Sequence, residues 1–229
     1  MAKHKFFIAG TDTHVGKTLV ATGILAAANA KGLSTVAMKP VAAGCEETSD
    51  GLRNDDALLL QHTMSLQLPY EQVNPVALKP AIAPHLAADQ AGKRLQVSQL
   101  VGYCRGVLMQ RADLVVIEGA GGWRVPLNKV ETLAGLAKEL NLPVILVVGV
   151  KLGCINHALL TVEAINNDRL PLAGWVANQL DADMPCYQEN IMTLKSLIRA
   201  PCIGELPVLA EPNADSARAY LNLDLVISS

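Results

Sequence analysis

The sequence predicts an α/β fold, in which a mainly parallel central sheet is covered by helices on both faces. Short apolar runs alternate with helical patterns along the 229 residues, as is typical of parallel strands joined by right-handed helical crossovers. The apolar runs at 113–117 and 143–148 are continuous, which is expected of strands buried on both faces. No repeat, low-complexity tract or composition shift marks a linker, so we expect a single domain over residues 1–229.

Local signals place the elements in order along the chain. The predicted strands are short apolar runs bounded by Gly, Pro or polar residues, at 6–9, 34–38, 73–78, 113–117, 143–148, 172–178 and 203–207. The predicted helices follow the helical apolar period, at 19–28, 53–60, 85–91, 97–111, 132–140, 154–167 and 185–198. The helix at 53–60 carries two acids in its first turn, where the helix dipole favours them. Residues 41–51 are polar, and we expect an irregular loop there.

The loop between the first strand and the first helix reads Gly10-Thr11-Asp12-Thr13-His14-Val15-Gly16-Lys17-Thr18. In such a loop, backbone N–H groups and the positive end of the helix face the phosphates of a nucleotide. Lys17 supplies a mobile cation for the β and γ phosphates, and the Thr18 hydroxyl is a magnesium ligand. Five residues, not the usual four, separate the two glycines. The alternative is a turn that ends in Gly-Lys-Thr by chance. We favour a P-loop NTPase-like fold that binds a nucleotide.

Other polar or glycine-rich segments also follow predicted strands. Ligands of open α/β sheets bind at the carboxyl ends of the strands, so we expect one crevice to receive residues 10–18, Lys39, Glu118, 149–154, Asn178 and Pro207. The glycine-rich loop 119–122 offers free N–H groups that can hold a carboxylate or phosphate. The helix start at 153–156 is a further anion site, although that signal alone is weak.

Three acids are candidates for completing a magnesium site with Thr18. Magnesium prefers hard oxygen ligands, and Glu118 ends the strand that we expect beside the P-loop strand. Asp56 or Asp55 could add a third ligand. The alternatives are a solvated carboxylate at Glu118 and helix-dipole partners at the two aspartates. Lys39 alone reads as a surface lysine, but beside Lys17 it could neutralise a transferring phosphoryl group.

Composition excludes several functional classes. The net charge of −2 comes with no basic cluster, which argues against a nucleic-acid surface. The apolar runs are too short to span a membrane, and the N-terminus does not resemble a secretory signal. The five scattered cysteines and five histidines show no zinc or disulfide spacing. We expect a cytoplasmic protein with small-molecule ligands and with no membrane or nucleic-acid partner.

Further motifs follow the P-loop in order through almost the whole chain. They are Lys39-Pro40-Val41, Gly51-Leu52-Arg53-Asn54 with Asp56-Ala57-Leu58, Glu118-Gly119-Ala120-Gly121-Gly122-Trp123, residues 147–157, Gly174-Trp175-Val176-Ala177-Asn178 and Gly204-Glu205-Leu206-Pro207. With residues 10–18, this ordered set resembles the dethiobiotin synthetase family, the ATP-dependent cyclo-ligases of biotin biosynthesis.

The resemblance implies a reaction. One amine of 7,8-diaminononanoate (7,8-diaminopelargonate) takes up CO2 as a carbamate, which the γ-phosphate of ATP activates as a carbamic-phosphoric anhydride. The second amine then closes the ring, giving dethiobiotin, ADP and phosphate. Two anions must meet in this reaction, so concentrated positive charge is needed. ATP and Mg²⁺ are the cofactors implied, and the implied assembly is a homodimer.

The resemblance also implies roles for individual residues. Lys17, Lys39 and Thr13 would be catalytic, and Thr18, Asp56 and Glu118 would bind the metal. The nucleotide would contact Asp12, Thr13, His14, Val15, Gly16, Lys17, Thr18, Asp56, Glu118, Gly119, Gly121, Gly122, Asn178, Pro207, Val208, Leu209 and Glu211. The substrate would contact Lys39, Ala43, Gly153, Cys154, Ile155, Asn156 and Tyr187, with residues 153–156 acting across the dimer interface.

The chain departs from the family pattern at a few positions. Ala43 stands where some relatives carry a serine that contacts the substrate, and His14 stands where some carry a glutamate. A tyrosine that touches the substrate carboxylate in relatives matches either Tyr187 or, by alignment through that helix, Asn190. These differences affect expected affinity more than reaction type. An altered activity, as in a second copy of the enzyme, stays open.

Other P-loop proteins are the alternatives. Another amide-forming synthetase, such as a cobyrinic acid diamide synthase, would need a glutaminase half, for which the chain has no room. A MinD- or ParA-like switch ATPase would carry an extra lysine early in the P-loop, where this chain has Gly10, Thr11 and Asp12. A nucleoside kinase would need an arginine-rich lid stretch, which this chain lacks.

Overall fold

The computed structural model describes residues 3–227. In that range the strands, in chain order, are β1 (His4–Gly10), β2 (Thr35–Met38), β3 (Val41–Ala43), β4 (Glu46–Thr48), β5 (Gly51–Arg53), β6 (Val76–Leu78), β7 (Leu114–Glu118), β8 (Val144–Val150), β9 (Leu172–Gln179) and β10 (Cys202–Leu206). Six of these strands form the central sheet in the spatial order β10-β9-β8-β1-β7-β2. All five pairings in this sheet are parallel, as the sequence predicts.

Helices connect these strands on both faces of the sheet. They are α1 (Lys17–Ala30), α2 (Asp55–Thr63), α3 (Tyr70–Val73), α4 (Pro84–Gln90), α5 (Val97–Leu108), α6 (Leu133–Leu140), α7 (Cys154–Asn167), α8 (Tyr187–Leu197) and α9 (Ala214–Arg218). Every residue of β7 and β8 is buried. Burial on both faces explains why these two strands read as unbroken runs of Val, Ile and Leu.

Strand register brings the predicted functional residues to one edge of the sheet. β1 lies between β7 and β8, and Ile8 pairs with Glu118 at the end of β7. On the other side of β7, Met38 pairs with Ile117, so Lys39 emerges beside Glu118. The P-loop follows Gly10 at the same edge. Three segments that are far apart in sequence therefore converge at the carboxyl ends of adjacent strands.

Two predicted segments differ from the structure. The irregular loop expected at 41–51 is wrong, because it contains β3, β4 and the start of β5; β3 pairs with β6, and β4 with β5 as an antiparallel hairpin. β4 is exposed and carries two glutamates, so this hairpin lacks the apolar alternation that predicts strands. The strand expected at 73–78 begins only at Val76, after α3 and Pro75, because proline has no N–H for strand pairing.

One short helix carries too little signal for prediction. α9 has five residues and is held by a reciprocal capping box between Asn213 and Ser216. It packs along α1, where it places residues 212–214 at the rim of the main cavity. Among residues 3–227, no helix has both the length and the apolar character needed to cross a bilayer.

Candidate nucleotide and substrate site

The turn into α1 requires glycine at position 16. Gly16 caps α1 with φ of +88°, a left-handed conformation that side chains disfavour. A Cβ at this position would lie 2.3 Å from Nδ2 of Asn178. The Asn178 amide itself donates a hydrogen bond of 2.9 Å to the Val15 carbonyl. The P-loop backbone and the end of β9 are thus packed too closely for any side chain at residue 16.

Lys17 folds back over the P-loop. Its ammonium donates to the Asp12 carbonyl at 2.9 Å, and the residue is only 7% exposed. Burial lowers the pKa of Lys17 to about 8; the Lys39 ammonium acts in the same direction, and the Glu118 carboxylate opposes it. Within the part of the chain that the structure describes, Lys17 makes no side-chain ion pair and lines the main cavity, so its ammonium is available to an anionic ligand there.

Lys39 is buried between two carboxylates, which excludes the surface-lysine alternative. Its Nζ donates to Glu118 Oε1 at 2.8 Å and to Asp56 Oδ2 at 2.5 Å. Burial alone would lower the pKa of Lys39, but Glu118 and Asp56 outweigh burial and raise it. Burial likewise opposes ionisation of Asp56, yet Lys39 holds the pKa of Asp56 below its usual value. Both partners of this pair are therefore charged near neutral pH.

Glu118 is fully buried, which excludes the solvated-carboxylate alternative. Its Oε1 accepts from Thr18 Oγ1 at 2.8 Å as well as from Lys39, while its Oε2 is buried without a hydrogen-bond partner. A buried carboxylate oxygen without a partner costs free energy, and a cation can satisfy it. Glu118, Thr18 and Asp56 form a set of hard oxygen donors of the kind that suits magnesium.

A cavity of about 930 Å³ opens above this cluster. Lys17, Thr18, Lys39 and Asp56 line it, together with Thr13, His14, Gly16, Ala43 and Gly121. His14 is exposed and has a positive φ of 58°. Residues 81–84 add an apolar stretch, and residues 212–214 add a rim from α9. The cavity is large enough for a nucleotide and a small organic substrate together.

The second glycine-rich loop lies against the P-loop. The Gly119 N–H donates to the Ile8 carbonyl, so the prediction of a free N–H is wrong at this residue. A Cβ on Gly122 would lie 3.2 Å from the Thr11 carbonyl, and Gly121 lines the main cavity. Beyond the glycines, the Trp123 indole donates to Asp168 at 2.8 Å. Asp168, which directly follows α7, also forms ion pairs with Arg124 and Lys138. This tether fixes the loop that borders the cavity.

The start of α7 lies in a different cavity, so the prediction of one common crevice is wrong in part. A second cavity of about 410 Å³ is lined by Asp12, Gly153, Cys154, Asn156 and His157, among others. Gly153 caps α7 with a positive φ of 91°, and the neighbouring Ile155 is half-buried. The start of α7 does approach the P-loop, because Asp12 lines the same cavity. It lies on the β8 side of β1, whereas Lys39 lies on the β2 side.

The remaining predicted residues follow β9 and β10, the two strands on the side of the sheet opposite β2. Asn178 is buried against Val15, and the predicted adenine-binding residues Pro207, Val208, Leu209 and Glu211 follow β10 directly and precede the 212–214 rim. Tyr187 is half-buried at the start of α8, and Asn190 donates to the Cys186 carbonyl. The roles assigned to these residues stay predictions.

Sequence reasoning missed several residues near the site. Arg124, Thr22, Leu59 and residues 212–214 line the main cavity but belong to no motif. Tyr70 accepts from the backbone N–H of Asn54, Asn74 donates to the Lys39 carbonyl, and neither residue lines the cavity. No motif marks these residues, because their contacts come from elements that are distant in sequence.

Comparison with known proteins identifies the family. The model for a family described as an AAA domain matches residues 4–216. The chain is 63% identical over 97% of its length to a protein named ATP-dependent dethiobiotin synthetase BioD from Cellvibrio japonicus, and it covers 97% of that protein. It is 53% identical to the protein of the same name from Marinobacter nauticus, with both chains covered in full.

Solved structures with low sequence identity share the fold. A ParA family ATPase from Chlorobium tepidum superposes with a TM-score of 0.56 at 12% identity, covering 100% of this chain and 95% of that one. The MinD cell division protein of Aquifex aeolicus gives a TM-score of 0.56 at 14% identity, covering 97% of this chain and 89% of that one. At such identity only the P-loop NTPase-like fold is shared. Sequence identity above 50% over the full length is decisive for the family, and the chain belongs to the dethiobiotin synthetases.

Proposed function

We propose that this enzyme closes the ureido ring of dethiobiotin in an ATP- and Mg²⁺-dependent reaction. In this reaction, one amine of 7,8-diaminononanoate adds to CO2 and loses a proton, giving a carbamate. A carbamate oxygen attacks the γ-phosphorus of ATP, which releases ADP and forms a carbamic-phosphoric anhydride. The second amine then attacks the carbamoyl carbon and expels phosphate.

The observation that carries the proposal is a cluster in which Lys17, Thr18, Lys39 and Asp56 line one cavity and the buried Glu118 accepts from Thr18 and Lys39. The carbamate and the triphosphate repel each other, so a catalyst must compensate negative charge where the two meet. Two buried lysines contribute to that charge, and Mg²⁺ held by Asp56 and Glu118 would offset the charge of these two carboxylates. The names of the closely similar relatives support the same reaction.

Each residue has a defined part in this proposal. The P-loop amides with Lys17 hold the β and γ phosphates, and Lys39 stabilises charge on the transferring phosphoryl group. Thr13, at the cavity rim, orients the reacting groups. Thr18, Asp56 and Glu118 would hold Mg²⁺, which when bound offsets negative charge on the β and γ phosphates. Asn178 and residues 207–211 would contact the adenine.

The diamine would occupy the part of the cavity next to Lys39 and Ala43, where residues 81–84 supply apolar contacts. Its carboxylate would be held by the α7 start of a second subunit. The 410 Å³ cavity would then belong to the substrate site of the partner, because residues 153–156 of one chain would complete the site of the other. Such a site requires a homodimer, and we propose one acting in the cytoplasm.

The test is product formation by the purified enzyme. Incubation with ATP, MgCl2, ¹³C-bicarbonate and 7,8-diaminononanoate should yield dethiobiotin that carries one ¹³C atom, detected by mass spectrometry, with one ADP per product. Omission of the diamine should abolish most ADP release. A switch ATPase would instead hydrolyse ATP whether or not the diamine is present, and it would form no cyclic urea.

A further inference from the structure

A buried hydrogen-bond chain connects the backbone beneath Lys39 to the start of the helix that carries Asp56. The backbone N–H of Asn54 donates to Tyr70 Oη at 2.7 Å, and Tyr70 Oη donates to Asn74 Oδ1 at 3.2 Å. Asn74 Nδ2 then donates to the Lys39 carbonyl at 2.7 Å. Asn54, Tyr70 and Asn74 are each at most 9% exposed. The chain therefore runs through the interior, beneath the cavity.

The direction of each bond is fixed by chemistry. A backbone N–H only donates, so Tyr70 must accept from Asn54 and use its own proton toward Asn74. The Asn74 oxygen therefore faces Tyr70, and its NH2 group faces the Lys39 carbonyl. A flipped Asn74 amide would set its oxygen against the Lys39 carbonyl, and two acceptors would then face each other. The hydrogen-bond chain therefore has one arrangement in which every donor meets an acceptor, and this arrangement holds the backbone at Asn54 and at Lys39.

Both ends of the chain lie close to the charged cluster. Asn54 caps α2 by accepting from Ala57, and Asp56 lies in the first turn of that helix. The Lys39 N–H donates to the Val73 carbonyl at 2.8 Å, so α3 and Asn74 hold the peptide groups on both sides of Lys39. The Arg53 guanidinium lies 4.2 Å from the centre of the Tyr70 ring and covers one face of it.

We propose that Tyr70 and Asn74 are positioning residues that set the relative placement of Lys39 and Asp56. They lie outside the lining of the cavity and act through the backbone on either side of the pair. Lysine has a flexible four-carbon stem, so its ammonium is placed accurately only if the backbone at its base is fixed. The consequence for catalysis rests on the proposed function, whereas the consequence for the environment of Lys39 does not.

Tyr70→Phe removes one oxygen and breaks the chain at its centre. We expect kcat to fall by roughly five- to tenfold, with the KM for ATP changed by less than about twofold, because the P-loop contacts are not altered. In an Asp56→Asn background the same change should have little further effect on kcat. The control is Thr35→Val, which removes a buried hydroxyl that bonds Asn29 and Ser65 at the opposite end of β2. It should lower the Tm to a similar degree and leave kcat unchanged.

A chemical readout independent of the reaction keeps the two proposals separate. Brief acetylation with acetic anhydride, quantified by mass spectrometry relative to the exposed Lys79, should modify Lys39 several times faster in Tyr70→Phe than in the wild type or Thr35→Val. If Tyr70→Phe does not fold, Asn74→Asp, which keeps the acceptor for Tyr70 and removes the donor to Lys39, is measured instead. Wild-type labelling of Lys39 together with wild-type kcat would overturn the inference. Failure of the wild type to form dethiobiotin would overturn only the proposed function.

Discussion

The ammonium of Lys39 lies 2.8 Å from Oε1 of Glu118, at adjacent carboxyl ends of two parallel strands. The pairing of Met38 with Ile117 places these residues side by side as soon as β2 and β7 pair. Both side chains are buried, and Asp56 reaches the same ammonium from α2. The sheet register therefore determines the charge arrangement at the centre of the site, and mutations of these residues should affect stability as well as activity.

Lys39→Met should abolish turnover and lower the free energy of unfolding by about 3 kcal/mol, since Glu118 is left as a buried charge without its main partner. Combining it with Glu118→Gln should recover part of that loss, because both members of the pair are then neutral. Urea unfolding of the wild type, both single variants and the double variant measures this coupling. A double variant less stable than Lys39→Met would contradict the assignment of Glu118 as the charge that Lys39 compensates.

Glu118→Gln and Asp56→Asn should each weaken binding of Mn²⁺, used as a probe for Mg²⁺, by roughly tenfold or more in the presence of ATP. Asp55→Asn is the matched control, because Asp55 lies in the same first helical turn but is exposed. Electron paramagnetic resonance of free Mn²⁺ gives the affinities without requiring turnover. Equal weakening by Asp55→Asn would show that the first-turn acids act only through their overall charge.

Gly16→Ala should destroy nucleotide binding, whereas Gly32→Ala should not. Both glycines have positive φ, but a Cβ at residue 16 meets Asn178 at 2.3 Å and a Cβ at residue 32 meets nothing within 4 Å. Gly32→Ala should cost only the strain of a left-handed alanine, about 1 kcal/mol. Titration with a fluorescent ATP analogue and thermal unfolding separate the two effects. Similar affinities in the two variants would remove the steric argument for Gly16.

Asp168→Asn should lower the Tm by an amount that depends on pH, because Asp168 holds the second glycine-rich loop. Burial opposes ionisation of Asp168, but hydrogen bonds from Trp123, Lys138 and Arg124 hold its pKa below the usual value. A carboxylate with a lowered folded-state pKa stabilises the protein above its unfolded pKa of about 4, and that contribution is lost as the pH falls through the folded-state pKa. The Tm difference between the variant and the wild type should therefore be largest near pH 7 and shrink towards pH 3.

The exposed Asp183→Asn serves as the control for that series, with a small Tm difference expected at every pH. Tryptophan fluorescence gives a second measure of the loop, because Trp123, one of the two tryptophans, donates its indole N–H to Asp168. A Tm difference that stays constant from pH 7 to pH 3 would mean that the Asp168 carboxylate is not what stabilises the loop.

The sequence predicted the central sheet well because each of its strands carries its own signal. β7 and β8 are buried on both faces, so their apolar runs are continuous, and the P-loop motif fixes where β1 ends and α1 begins. Ligands of open α/β sheets bind at the carboxyl ends of the strands, so strand ends alone predict that Lys39 and Glu118 lie near the P-loop. Those parts of the site depend on local pattern and strand order alone.

Other features depend on tertiary contacts that no local pattern contains. The β4–β5 hairpin is short and charged, so its pairing is invisible to apolar periodicity. The separation of residues 153–156 from the main cavity depends on how the P-loop divides the crevice. Tyr70 and Asn74 act through hydrogen bonds to backbone groups 16 and 35 residues away in sequence. Sequence motifs mark residues that contact the ligand, whereas Tyr70 and Asn74 do not line the cavity.

The most direct test of the central claim follows oxygen from CO2 into phosphate. In a single turnover with enzyme in excess, C¹⁸O2, ATP and the diamine are mixed and quenched within seconds, before hydration exchanges the label. If a carbamate oxygen attacks the γ-phosphorus and leaves with it, the phosphate released should carry one ¹⁸O and the dethiobiotin one ¹⁸O. Phosphate without ¹⁸O alongside labelled dethiobiotin would contradict activation of the carbamate by ATP at the Lys17–Lys39 site.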